Sequence, residues 1–213
     1  MPRRTKEDAQ KTRTRILASA LALFVKKGYE RTTFTDIAAR LKLTKGAVYW
    51  HFATKEALLV ALVNEMLEKF HRQMDALRDE SGLTFPKVAE AMAANAERLV
   101  EDPKGAAFFL LMHTQIRWGA DSMTKTREQL LSGDTNGPYH YFIRAVKNDI
   151  AEGRVRPDVN PTAIASVSLS IWNGLVRSKI EKFLQCDLGT TLRKSYAAMW
   201  QSIAVNDDLR KVR

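Results

Sequence analysis

Apolar side chains recur along this chain at three- and four-residue steps, the spacing of one face of an α-helix. Strand-like alternation is weak, and glycine and proline fall between the periodic segments. The pattern predicts an all-α protein of nine or ten helices. The first covers about residues 7–27, with Ile16, Leu17, Ala20, Leu21 and Phe24 on one stripe and Gly28 as a left-handed cap. The second covers about 35–41 and turns Ile37, Ala38 and Leu41 inward. The third lies in TKGAVYWHF, Thr44–Phe52, with Thr44 as its N-cap. A fourth starts after Thr54, carries Leu58, Leu59, Leu62, Val63, Met66 and Phe70 on its stripe, and extends as far as Asp79.

Beyond it the pattern predicts helices over about 85–100, 103–118, 122–131, 138–152, 161–183 and 191–204. Asp102-Pro103 and Asn160-Pro161 each pair a capping residue with a first-turn proline. Ser132–Gly137 reads as a flexible loop and Asn206–Arg213 as a frayed polar end. There is no internal repeat.

Helices two and three are short and joined by a turn of two or three residues, with helix one behind them. That is the pattern of a helix-turn-helix head. Ile37, Ala38, Leu41, Leu43 and Val48 can close a small core, which leaves Lys45, Gly46, Tyr49 and Trp50 outside. In such heads the second short helix enters the DNA major groove. Thr33, Thr35 and Thr44 supply hydroxyls for phosphates, and Gly46 lets backbone come close to DNA. Lys45 can reach phosphate or guanine, and Tyr49 a phosphate or a thymine methyl. His51 and Lys55 lie where the chain passes back over the phosphates. Trp50 at helical spacing also reads as a core residue, His51 as a surface histidine without a partner, and Phe52 as core.

Charge sharpens this reading. Residues 1–55 hold 13 Lys/Arg and 4 Asp/Glu, a net +9, whereas residues 56–213 hold 21 and 20, a net +1. A basic head on a near-neutral remainder suits a polyanion, although a solvated basic surface has the same composition.

Composition removes other classes. Of the 213 residues 45% are hydrophobic, enough for a sizeable core. The single cysteine, Cys186, leaves no internal disulfide and suggests a reducing, cytoplasmic setting. No 18-residue uncharged apolar run offers a membrane span. Ile16–Val25 is flanked by charges and lacks a signal-peptide cleavage pattern. The four histidines, His51, His71, His113 and His140, lack metal spacing, and no GxSxG, glycine-rich phosphate loop or paired Glu-x-x-His pattern occurs. No catalytic residue, metal or cofactor is expected, which disfavours an enzyme or carrier that merely contains a basic segment.

The block TTFTDIAARLKLTKGAVYWHFATKEAL, Thr32–Leu58, resembles the DNA-binding domain of the TetR family of bacterial transcriptional regulators. Thr12–Phe24 and Lys27-Gly28-Tyr29 resemble that family's first helix. The likeness spans residues 8–70 and leans to the AcrR-like branch, which often controls multidrug efflux. The rest of the chain fits only in length and helicity. Where the family usually has glycine in the turn, this chain has Lys42, at a cost on the order of 1 kcal/mol if left-handed.

The resemblance implies a DNA-binding domain over residues 1–53 and a helical effector-binding and dimerisation domain over 54–213. It implies a homodimeric repressor, released from a palindromic operator by a small molecule, with an activator or an effector-independent binder as the alternative. Ser166, Ser170, Gly174 and Ser178 form a small-residue ridge at four-residue steps. With Tyr196 and Trp200 of the last helix, the resemblance places them at the dimer interface. Phe109, Met112, His113 and Trp118, with Phe142, Trp172 and Asn173, are candidates to line an apolar effector pocket. A Phe/Met/Trp stripe at helical spacing reads equally as ordinary core.

Overall fold

The computed structural model describes residues 6–74, 77, 82–133 and 137–205. Among these residues the chain forms α1 (Lys6–Lys27), α2 (Phe34–Leu41), α3 (Lys45–His51), α4 (Lys55–Met74), α5 (Phe85–Glu101), α6 (Pro103–Leu110), α7 (Thr124–Gly133), α8 (Pro138–Ala151), α9 (Pro161–Ile180) and α10 (Leu188–Ile203). The architecture is all-α. The β pairing among the described residues is one isolated antiparallel bridge, Val155 to Ala204. The expected end of the fourth helix over 75–76 and 78–79, loop residues 134–136 and the tail 206–213 lie outside the described residues.

Local chemistry sets the helix ends. The Asn160 side chain accepts from the Thr162 and Ala163 N–H groups at 2.9 and 3.3 Å, and Pro161 fills the first turn of α9. The last helix begins three residues before the expected Thr191, because Asp187 caps it by accepting from the Thr190 N–H at 2.8 Å. The cap at α5 comes from far along the chain. Thr84 makes no side-chain capping bond, and the Phe85 N–H donates instead to the Asp149 carboxylate of α8 at 2.7 Å.

The sixth helix differs from its expected span of 103–118. Regular α-helix stops at Leu110, and Leu111–Gln115 widens into a π turn closed by the Ile116 N–H on the Leu111 carbonyl at 3.2 Å. Side chains take over the carbonyls here. The Thr114 hydroxyl donates to Leu110 O at 2.7 Å, His113 Nδ1 lies 2.9 Å from Phe109 O, and the Trp118 indole donates to Met112 O at 2.9 Å. Polar side chains that compete for backbone bonds break a regular ladder, and periodicity does not register this.

The chain divides into two compact units: Met1–Glu68 with Pro103–Gly133, and Lys69–Asp102 with Asp134–Arg213. In the first, Ile16, Phe24, Ile37, Val48, Leu58 and Leu59 share one buried cluster with Leu111, Ile116 and Met123. In the second, α5 packs on α8, α9 and α10. Its aromatic centre joins Phe85 to Phe142, Tyr196 and Trp200, with ring centroids 5.6, 6.2 and 6.0 Å apart. Among the described residues no helix is long and apolar enough to cross a membrane, and no group of three or more His, Cys, Asp or Glu is placed to hold a metal.

Candidate nucleic-acid interface

The head is assembled around two caps. Thr33 and Asp36 make a reciprocal box at the start of α2: the Asp36 N–H donates to Thr33 Oγ1 at 3.2 Å, and the Thr33 N–H donates to Asp36 Oδ2 at 2.8 Å. The Asp36 carboxyl is held down to about 2, first by the Lys27 ammonium at 2.7 Å and then by the Thr33 hydroxyl and N–H. At the other end of α2, Lys42 is left-handed at φ 56° and ψ 40°. The Leu43 N–H returns to Ala38 O at 2.9 Å and the Lys42 N–H to Ala39 O at 3.2 Å, a Schellman closure. Thr44 then caps α3 by accepting from the Ala47 N–H at 3.1 Å. Two caps separated by a left-handed residue set the angle between α2 and α3.

That angle sorts the side chains. Ile37 and Val48 are fully buried, with Ala38 and Phe52 nearly so, while Leu41 and Leu43 pack half-buried against the same cluster. Thr33, Thr35, Thr44, Lys45 and Gly46 are exposed. Tyr49 keeps 49% of its surface and Trp50 74%, so Trp50 is not core. Tyr49 is braced edge-on against Phe34 at 4.9 Å, with Lys45 Nζ 5.6 Å from its ring. Trp50 stands edge-to-face with the half-buried His51 at 4.6 Å. A Cβ built on Gly46 would meet nothing nearer than Thr44 Oγ1 at 4.0 Å, so packing within the chain does not require glycine there.

Lys55 has internal work that the sequence did not reveal. Its ammonium donates to the Tyr29 and Glu30 carbonyls at 3.0 and 3.1 Å and lies 4.5 Å from the Tyr29 ring. It fastens the start of α4 to the loop after α1. Arg13 also went unnoticed: its guanidinium lies over Phe52, 4.8 Å from the ring centroid, across a separation that no spacing rule detects.

The expected effector residues fall into two sets. Phe109, Met112, His113 and Trp118 belong to the first unit, around the π turn. Phe109 is buried, its ring stacked on His113 at 4.1 Å, and Met112 and Trp118 pack against the head cluster. Phe142, Trp172 and Asn173 belong to the second unit. Phe142 has no exposed surface, the Trp172 indole donates to Met92 O at 2.9 Å, and Asn173 is half-buried. A groove of about 450 Å³ runs between α1 and α4 in the first unit, and a notch of about 170 Å³ lies beside Phe85 and Trp200 in the second. None of the seven residues lines either one.

On α9, Ser166, Ser170 and Gly174 are exposed and Ser178 is half-buried. The two exposed serines turn back on their own helix, donating to Thr162 O at 2.8 Å and Ser166 O at 2.9 Å. Trp200 is half-buried. Tyr196 departs from the expected interface. It keeps 1% of its surface and donates to Ser168 O at 3.2 Å, which leaves it nothing to offer a partner. Burial pushes its phenol well above the ordinary tyrosine range.

A capped α2, a pinned turn and an α3 with a buried inner side and a cationic, aromatic outer side make a helix-turn-helix head. Residues 16–62 match the family described as bacterial regulatory proteins, tetR family. The transcriptional regulator TtgR of Pseudomonas putida is 29% identical over 178 residues, covering 83% of this chain and 84% of TtgR. The probable acrEF/envCD operon repressor of Escherichia coli is 27% identical over 130 residues, covering 59% of this chain and 57% of that protein. Among solved structures, a complex of SmeT with triclosan aligns with a TM-score of 0.74 at 25% identity, over 92% of this chain and 93% of that one. NalD, the secondary repressor of the MexAB-OprM multidrug efflux pump in Pseudomonas aeruginosa, shares the fold with a TM-score of 0.71 at 21% identity, over 93% of this chain and all of that one. Over residues 16–62 the chain is similar to the tetR family of bacterial regulatory proteins, and the relatives it resembles over most of its length are transcriptional regulators.

Proposed function

We propose that this protein is a homodimeric repressor that occupies a palindromic operator at efflux genes and leaves it when a small apolar molecule binds. The observation that carries the reading is the outer face of α3. Lys45, Gly46, Tyr49 and Trp50 stand exposed over a fully buried Val48, within a segment of net +9. Lys45 and Trp50 address the groove, while Thr33, Thr35, Thr44 and Tyr49 hold phosphates, with His51 and Lys55 at the margin. Residues 1–53 form the DNA-binding domain and residues 54–213 carry effector binding and dimerisation. The multidrug efflux pump named for NalD of Pseudomonas aeruginosa supports the choice of genes, and triclosan bound to SmeT supports an aromatic, apolar effector.

The two-fold partner joins through the exposed ridge of Ser166, Ser170 and Gly174 on α9, with Ser178 and Trp200 at its edges. Small residues let helices approach closely, and two heads one DNA turn apart match a palindrome. Candidate effector contacts are Phe109, Met112, His113 and Trp118 near the π turn of the first unit and, taken separately, Phe142, Trp172 and Asn173 on α8 and α9 of the second. Release requires an effector that binds the DNA-free form more tightly. Helix α4 begins in the head cluster and crosses into the second unit between Glu68 and Lys69, so it is the covalent route for that shift.

The deciding experiment is selection of duplexes from a randomised pool by the wild-type protein, followed by titration of the winner at two salt concentrations. A palindromic winner, bound by a dimer and weakened steeply by salt, is expected. Triclosan should release it. Recovery of no duplex at low salt sinks the DNA reading. A palindrome bound with no response to triclosan or other apolar aromatics would favour an effector-independent binder.

A further inference from the structure

We infer that Lys42, in the turn between α2 and α3, is a positioning residue that adds a phosphate contact beside the reading helix. This rests on the DNA-binding reading above. At φ 56° Lys42 occupies the left-handed region, where an L side chain is strained and glycine is not. Strain alone does not single it out. Lys182 has φ 63° at the end of α9, in a similar cap where the Phe183 N–H donates to Ser178 O at 2.8 Å. Place sets Lys42 apart, in the turn directly before α3.

Several cations around it already have partners. Lys27 pairs with Asp36, Lys55 holds two carbonyls, Arg13 lies over Phe52 and Lys45 leans on Tyr49. Lys42 is exposed and, among the described residues, makes no ion pair, side-chain hydrogen bond or ring contact. Its backbone is nonetheless pinned, by the Schellman bonds and by the half-buried Leu41 and Leu43 on either side. A pinned backbone with an unengaged ammonium is an ordered base for a cation.

Its place in the turn brings it to the reading helix. Lys42 caps the C-terminus of α2, the helix whose exposed side carries Thr35, already a proposed phosphate contact. Two residues later Thr44 caps α3. Two peptide units span at most about 7 Å, so a phosphate held at the start of α3 is within reach of an extended lysine. An ammonium is a point charge that neutralises phosphate without reading bases. Lys42 therefore tightens binding on every sequence and leaves base preference alone.

The test compares wild type with K42G, K42R and K182G on the duplex that wild type selects from a randomised pool. Each variant also receives a thermal melt. Relief of strain should raise the melting temperature of K42G. Its affinity should nevertheless fall roughly threefold to tenfold at low salt, and its log–log salt slope should shrink by about one. K42R should keep the wild-type slope. K182G should melt higher and bind unchanged. A merely structural lysine would move stability and affinity in the same direction, which overturns the inference, as does a K42G slope equal to wild type. If wild type selects no duplex, the DNA reading itself falls, an outcome distinct from the other two.

Discussion

In the head, Arg40 and Lys42 stand in solvent without an ion pair among the described residues, and Lys45 has only the ring of Tyr49 beside it. In the second unit two arginines are tied to carboxylates. Arg193 of α10 forks onto Glu90 and Glu97 of α5 at 2.8 and 3.0 Å, and Arg154 binds the fully buried Asp149 at 2.6 Å as well as Glu152. Two glycines show the same contrast. A Cβ on Gly46 would find ordinary room, whereas one on Gly189 would drive into the Glu97 carboxylate that Arg193 holds. At Arg154, Arg193 and Gly189 of the second unit, charge and small size satisfy neighbours within the chain. In the head they are left over, which is what a surface built for an outside partner requires.

The sharpest test of that contrast is Asp149→Ala. It leaves the buried Phe85 N–H without its acceptor and removes one of the two carboxylates that hold Arg154, and should cost about 3 kcal/mol in urea unfolding. A loss below about 0.5 kcal/mol, the size of an ordinary surface change, would mean the ion pair is not an internal fastening.

Tyr49→Ala and Lys45→Ala should each weaken operator binding about tenfold, with unfolding midpoints within about 0.5 kcal/mol of wild type. The lysine variant should also accept altered bases, read by repeating the duplex selection. Equal loss of stability and binding would assign these side chains to the fold.

Gly46→Ala should raise helix stability by about 0.5–1 kcal/mol while reducing DNA affinity, because the added methyl stands where backbone must approach the duplex. On α9, where a Cβ on Gly174 meets nothing within 4 Å, Gly174→Leu should fold normally and sediment as a monomer. A dimer of wild-type strength would remove the small-residue ridge from the interface.

The smallest effect is acidic. The folded Asp36 carboxyl titrates near 2 against an ordinary 3.8, so its contribution is present above about pH 4 and lost as pH falls toward 2. Lys27→Met should move that titration back toward 3.8, followed by NMR of the Thr33 amide. An unmoved titration would leave the Thr33 cap as its sole cause.

Much of the head was legible because its signals are local. Thr33 with Asp36, Thr44 before Lys45, and the apolar spacing of Ile37, Ala38 and Val48 each act within a turn or two of helix. The same locality made the body helices readable to within a few residues, apart from the π turn, where His113, Thr114 and Trp118 compete for carbonyls. Long-range assignments were not legible. Lys55 reads as a phosphate contact alone, and its tie to the Tyr29 and Glu30 carbonyls, 26 and 25 residues away in the chain, shows only in the folded structure. Tyr196 reads as an interface residue until Ser168 takes its hydroxyl.

Sequence by itself determined the helices, their caps, the basic head and the outward position of Lys45 and Tyr49, since periodicity and capping are decided by neighbours a few residues apart. Only the tertiary structure decided that Trp50 is exposed, that Lys55 is an internal tie, that Asp149 caps a helix 64 residues away and that Lys42 is both left-handed and unengaged. Burial and pairing belong to groups brought together through space, and a linear pattern carries no measure of that.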